Sequence, residues 1–451
     1  MPKPSSVFSC SACGAQTPKW HGQCPSCGEW NTLAEERAPA GRAAQRPARG
    51  PAARPVPLRE VSAERAPRLP TGIGELDRVL GGGLVPGSVV LLGGSPGIGK
   101  STLTNMALGN LAAGGRPTLY VSGEESAAQI RLRAERLGAA ALDVPVLAET
   151  DLDAVLATLE AERPAACVID SVQTLHSGAL ESAPGTVGQV REVATRVTDV
   201  AKRQGTAVLL VGHVTKEGAL AGPRVLEHLV DCVLQFEGDR YHAHRVLRAT
   251  KNRFGSTNEL GVFEMTGAGL AGVPDPSELF GRTAGQEVGS AVACALEGTR
   301  PILLEIQALV APTDLAMPRR VATGVDPRRL AMIVAVLGRH ARVALGSSDV
   351  FVNVAGGLRI DEPGADLGVA LAIASAARGA PTRQSVAAFG EIGLTGRLRA
   401  AAQAERRLEE CAKLGLSAVV APAGTLAAKS KLRVLEAETL PQAIAAALDS
   451  E

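Results

Sequence analysis

Nine consecutive residues constrain this chain more than any others: Gly94-Ser95-Pro96-Gly97-Ile98-Gly99-Lys100-Ser101-Thr102. They follow an apolar run, Ser88-Val89-Val90-Leu91-Leu92, that reads as a buried parallel strand. They precede Leu103-Thr104-Asn105-Met106-Ala107-Leu108, which reads as a helix. A G-x-x-x-x-G-K-[ST] pattern set between a strand and a helix is a phosphate cradle. Its glycines let the backbone curl so that successive N–H groups point inward. The helix N-terminus adds partial positive charge. Lys100 can then reach the β- and γ-phosphates of ATP, and the Ser101 hydroxyl can ligate Mg²⁺. All nine residues are expected at the nucleotide.

The segments that follow alternate strand and helix, so a mainly parallel sheet is expected from Val61 to about residue 272. Thr71 to Asp77 leads into Gly81-Gly82-Gly83-Leu84, a turn before the P-loop strand. Thr118-Leu119-Tyr120-Val121-Ser122 is a second strand, ending in Gly123-Glu124-Glu125-Ser126. Carboxylates at a strand's C-terminal end stand where open α/β sheets bind ligands. Either Glu124 or Glu125 can polarise the water that attacks the γ-phosphate; helix N-terminal acids are the plainer alternative. Ala166-Cys167-Val168-Ile169-Asp170-Ser171 is apolar up to an acid, and Asp170 is expected to hold Mg²⁺. Val208 to His213 is another strand, with His213 placed to sense the γ-phosphate.

Composition adds limits. The 451 residues suffice for two to four domains, and the formal net charge is +1, so any nucleic-acid site must be a local patch. No apolar run reaches the roughly 18 residues a membrane span needs, and no signal peptide is evident, so a cytoplasmic location without membrane contact is expected. Four of the eight cysteines are Cys10, Cys13, Cys24 and Cys27, in two C-x-x-C knuckles. In a reducing compartment that arrangement points to four thiolate ligands for structural Zn²⁺, with a redox dithiol as the alternative. Trp20 and Trp30 lie in or beside this module and are expected to pack over the metal rather than stack on a base. The module spans 1–32, and an Ala/Pro/Arg-rich linker spans 33–60.

The run from Thr71 to Thr102, with Glu124-Glu125, Asp170 and His213, resembles the RecA/KaiC class of P-loop ATPases. Lys251-Asn252-Arg253-Phe254-Gly255 follows a strand, Ala243 to Ala249, and with the four-cysteine module in front it resembles the signature of the bacterial RadA (Sms) family. Lys251 and Arg253 are two residues apart and point the same way if extended, so they can act as fingers on a neighbour's γ-phosphate or grip DNA. Lys216 and Arg224 lie in a segment of loop composition, which in RecA-like rings faces single-stranded DNA.

From 273 to 451 the pattern becomes α+β and resembles the proteolytic domain of Lon. The position of Lon's nucleophilic Ser holds Asp366, and that of its Lys holds Glu405, so the domain is expected to be a degenerate scaffold without peptidase activity. Arg319, Arg320, Arg328, Arg329, Arg339 and Arg342 are candidates for a duplex-DNA surface, with plain solvation as the alternative. The resemblance implies a multidomain α/β ATPase of recombinational repair, a homohexameric ring on single-stranded and branched DNA. It implies work with the RecA recombinase and a replicative helicase, driving branch migration. A nucleotide-switched DNA-binding protein and an ATP-dependent protease are the rival readings.

Overall fold

A computed structural model describes residues 6–10, 16–26, 28–37, 57, 67–180, 182–213, 225–238, 244–275, 277, 287–355, 358–425 and 432–449. The chain divides into two compact units, Met1–Thr257 with Phe263–Gly272 and Asn258–Val262 with Val273–Glu451.

At the N-terminus β1 (Ser6–Cys10) pairs antiparallel with both β2 (Gln16–Thr17) and β3 (Leu33–Arg37). Cys10, Cys24 and Leu33 form its small buried cluster, with Phe8 packed against it. The expected linker of 33–60 therefore begins as a strand of this module, since Leu33–Arg37 is β3, and its Arg residues beyond Arg37 lie outside the described residues.

The first unit is built on a nine-stranded sheet. In chain order the elements are α1 (Gly74–Leu80), β4 (Val89–Gly94), α2 (Lys100–Ala113), β5 (Thr118–Ser122), α3 (Ala127–Leu137), α4 (Ala139–Leu142) and β6 (Val146–Ala148). Then come α5 (Leu152–Glu162), β7 (Ala166–Asp170), α6 (Val187–Gln204), β8 (Ala207–His213), α7 (Val225–Leu229), β9 (Cys232–Glu237), β10 (His244–Asn252), β11 (Leu260–Thr266) and β12 (Gly269–Gly272). The strand order is β12-β11-β10-β9-β4-β8-β7-β5-β6. The six strands from β9 to β6 in that order run parallel, as long apolar runs between helices require.

Every residue of β4 is buried. The pleat sends Val90 and Leu92 to one face, with Leu103 and Leu108 of α2. It sends Val89 and Leu91 to the other, with Val155 of α5 and Val193 of α6. β4 is thus packed on both sides, and the loop that leaves it rests on a rigid base.

The second unit holds a seven-stranded mixed sheet. Its strands are β13 (Ser290–Glu297), β14 (Arg300–Pro312), β15 (Arg320–Thr323), β16 (Ser348–Val354), β17 (Val386–Ala388), β20 (Ala418–Pro422) and β21 (Arg433–Ala437). A separate pair, β18 (Glu391–Ile392) and β19 (Leu398–Arg399), follows β17. The sheet order is β15-β16-β14-β13-β17-β20-β21. The helices Pro327–His340, Asp366–Arg378 and Ala404–Lys413 lie between strands. In the buried interior Arg407 forks onto Glu362, with Nη1–Oε1 at 2.8 Å and Nη2–Oε2 at 2.9 Å. Its guanidinium lies 5.5 Å from the Phe389 ring centre.

Candidate nucleotide site

The P-loop leaves β4 at Gly94 and enters α2 at Lys100. Gly97 and Gly99 have φ of +77° and +115°, values side-chain-bearing residues rarely adopt. A Cβ on Gly99 would come within 2.9 Å of Met265 Cε and 3.2 Å of Leu270 Cδ1. The β11–β12 hairpin therefore closes directly on the loop, a wall that nothing in the local sequence announced. Lys100 is buried, and its Nζ donates to the Gly94 carbonyl at 2.8 Å and the Ser95 carbonyl at 3.1 Å. Burial pushes its ammonium below the ordinary lysine range, while the charges of Asp170 and Glu124 act against that.

The acids reach the same end of the sheet through strand order. β8 stands between β4 and β7, and Gly94 pairs with His213 while Asp170 pairs with Val211 and Ser122. Asp170 Oδ2 accepts the Tyr120 hydroxyl at 2.6 Å. Burial, and secondly Asp170, hold that phenol well above its usual range, so it stays a donor. The side chain of His213 lies outside what is described, although its backbone ends β8 beside Gly94.

The two glutamates differ sharply. Glu124 accepts the Ser171 hydroxyl at 2.6 Å, one residue past Asp170. Glu125 is paired with Arg133 of α3, and its N–H donates to Ser122 Oγ at 3.0 Å. Gly123 permits this divergence, since a Cβ there would sit 2.1 Å from Thr174 Oγ1. Tyr120 and Ser171 were missed in the sequence; a phenol between the apolar Leu119 and Val121 was the available signal for Tyr120.

The Lys-Asn-Arg-Phe-Gly segment corrects an expectation. β10 does not stop at Ala249 but continues through Asn252, with a bulge between Ala249 and Lys251. Lys251 is therefore on a strand, not a loop. Its Nζ donates to the carbonyls of Glu227 at 2.6 Å and Val230 at 2.7 Å, around the C-terminus of α7. Asn252 donates to the Val79 carbonyl at 3.2 Å and accepts from the Phe254 N–H at 3.0 Å, so it braces the turn. Arg253 is 52% exposed and pairs with Asp231 at 3.2 Å. Asp231 in turn accepts the Val89 N–H at the start of β4. The segment thus stands at the opposite end of β4 from the P-loop, roughly 15 Å away at about 3.3 Å per residue. Lys216 and Arg224 lie outside the described residues.

In the N-terminal module Cys10 and Cys24 are buried together, and Cys13 and Cys27 lie outside the described residues. Gly28, with φ of +77°, closes a tight turn by donating its N–H to the Cys24 carbonyl at 2.9 Å. Such a turn presents paired thiolates, so the described half of the site fits a zinc knuckle. The tryptophans do not pack over it: Trp20 and Trp30 are 57% and 67% exposed. The full chain is expected to bind zinc and Cys24→Ser to lose it, measured by elemental analysis, with ATP turnover in the absence of DNA unchanged.

In the second unit Asp366 is buried and held by Arg329, Nε–Oδ1 at 2.5 Å and Nη2–Oδ2 at 2.6 Å. Glu405 is exposed on the helix Ala404–Lys413. Neither residue supplies the hydroxyl or the amine that a Ser–Lys dyad needs. Half of the basic set is also tied internally. Arg319 pairs with Asp349 at 2.9 Å, Arg320 donates to the Leu345 carbonyl at 2.7 Å, and Arg329 is spent on Asp366. Arg328, Arg339 and Arg342 are exposed.

One strand lies between the P-loop strand and the Asp170 strand, and Glu124 heads the strand beyond. That is the sheet of a RecA-type P-loop ATPase, here joined to a Lon-like α/β domain. The family model "AAA domain" matches residues 52–219, "Rubredoxin metal binding domain" matches 8–35, and "Subunit ChlI of Mg-chelatase" matches 328–425. The DNA repair protein RadA of Brucella abortus is 49% identical over 99% of this chain and 98% of its own. That of Pseudomonas aeruginosa is 49% identical over 98% and 99%, and that of Bacillus subtilis 46% identical over 97% and 96%. The chain belongs to the bacterial RadA family of DNA repair proteins.

Proposed function

We propose that this chain is a DNA-stimulated ATPase that moves along single-stranded DNA as a homohexameric ring and drives branch migration of recombination intermediates, working beside the RecA recombinase and a replicative helicase. Lys100, Ser101 and Thr102 hold Mg-ATP with the rest of the loop from Gly94 to Gly99. Asp170 orients the Mg²⁺, Glu124 activates the water, and His213 senses the γ-phosphate. Zn²⁺ is held by Cys10, Cys13, Cys24 and Cys27. The observation that carries the reading is the position of Arg253. It is exposed, yet separated from its own P-loop by the length of β4. So far from its own P-loop, it serves ATP held by a neighbouring copy, or DNA, with Asn252 bracing the turn beneath it. Coupling between copies is what converts hydrolysis into movement.

The test is extension of a labelled branch in a three-strand DNA intermediate, with ATP and Mg²⁺. Wild-type protein is expected to lengthen the branch, and Lys100→Ala to leave it where it began. Equal products from both would remove the motor and leave a DNA-binding protein that uses nucleotide as a switch.

A further inference from the structure

The two carboxylate oxygens of Asp170 have different surroundings. Oδ2 accepts the Tyr120 hydroxyl at 2.6 Å. No donor among the described residues reaches Oδ1, and it is not one of the sealed, unpaired polar atoms. The contact follows from strand register. β5 and β7 are parallel neighbours, with Tyr120 opposite Val168 and Ser122 opposite Asp170. Tyr120 is thus diagonal to Asp170 on one face of the sheet, a span that an aromatic side chain can cross. Its ring is buried in the cluster that holds Leu103 of α2 and Ile130 of α3, and close packing fixes the ring and its hydroxyl together. Arg133 of α3 brings positive charge near the same phenol, but it is bonded to Glu125 and not to Asp170. An acid with one oxygen fixed and one open suits a divalent cation held directly or through water.

We propose that Tyr120 is a positioning residue for the cation used in ATP hydrolysis: by donating to Oδ2 it fixes the plane of the Asp170 carboxylate and leaves Oδ1 for the cation or its water. This rests on Asp170 serving Mg²⁺, and adds the group that holds the acid in place. The competing role is plain packing, which the ring fulfils with or without its hydroxyl. Hydrogen-bond partners of metal-binding groups are commonly worth roughly 10–100-fold in metal affinity.

The probe is Mn²⁺, and its dissociation constant is read by EPR on the full-length chain loaded with a non-hydrolysable ATP analogue. Tyr120→Phe keeps the ring and removes the hydroxyl. It is expected to weaken Mn²⁺ binding by about tenfold or more, while the analogue binds without metal as it does to wild type. Its ATP turnover is expected to recover as Mg²⁺ is raised, which a folding defect would not do. Asp170→Asn is expected to weaken Mn²⁺ as well. Adding Tyr120→Phe to Asp170→Asn is expected to change the constant by less than about twofold, since both act through one carboxylate. If Asp170→Asn weakens Mn²⁺ and Tyr120→Phe does not, the proposal is overturned and Asp170 keeps its metal role. The same holds if the effect of Tyr120→Phe persists in full beside Asp170→Asn. If Asp170→Asn leaves Mn²⁺ binding unchanged, the assignment of Asp170 to the metal fails and the proposal fails with it.

Discussion

Glu124→Gln is expected to lower ATP turnover by about 10²–10⁴-fold, the range spanned by loss of a positioned general base, while ATP still binds. Gln keeps the contact with the Ser171 hydroxyl, so the change removes basicity and little else. Glu125→Gln is the matched control. It loses a partly exposed pair with Arg133, and turnover is expected to stay within about fivefold. Steady-state phosphate release with fluorescent-nucleotide binding separates the outcomes. If Glu125→Gln is the dead variant and Glu124→Gln the active one, the roles drawn from their surroundings are reversed.

Arg407→Ala is expected to destabilise the second unit by about 3–5 kcal/mol, the usual cost of removing one member of a buried ion pair. Arg407 is fully buried; besides Glu362 it donates to the Cys294 carbonyl at 2.5 Å and the Ala402 carbonyl at 2.9 Å. Truncation leaves the largely buried Glu362 carboxylate with only the N–H groups of Leu296 and Gly364, and takes the guanidinium from two carbonyls at once. The partner change partly restores stability: Arg407→Met with Glu362→Gln is expected to melt well above Arg407→Ala, because no buried charge is left alone. Thermal and urea melts of the full chain report both. An Arg407→Ala melt indistinguishable from wild type would show that this pair does not hold the domain.

Much of this was legible because the relevant signals are local. A glycine-rich loop between an apolar run and a helix identifies itself, and β5 and β7 announce themselves as apolar runs ending in polar residues. What stayed hidden depends on strand order. Glu124 and Glu125 are neighbours in sequence, but only the pairing of β5 with β7 brings Ser171 to one and α3 brings Arg133 to the other. Met265 and Leu270 belong to a hairpin more than 160 residues past the loop they cover. Lys251 was read with Arg253 as a pair of cations reaching a neighbour's γ-phosphate or DNA, because alternate residues of an extended stretch point the same way; instead its long chain reaches the carbonyls of Glu227 and Val230. Trp20 and Trp30 were expected to pack over the metal because so small a module has little else to bury, yet both are more than half exposed.

The central claim is that hydrolysis at the Lys100–Asp170–Glu124 site answers to DNA through Arg253. The most direct measurement is ATP turnover with and without single-stranded DNA, for wild type and for Arg253→Ala. The account expects strong stimulation by DNA in wild type and its loss in Arg253→Ala. Turnover indifferent to DNA, or stimulation that survives in Arg253→Ala, would contradict it.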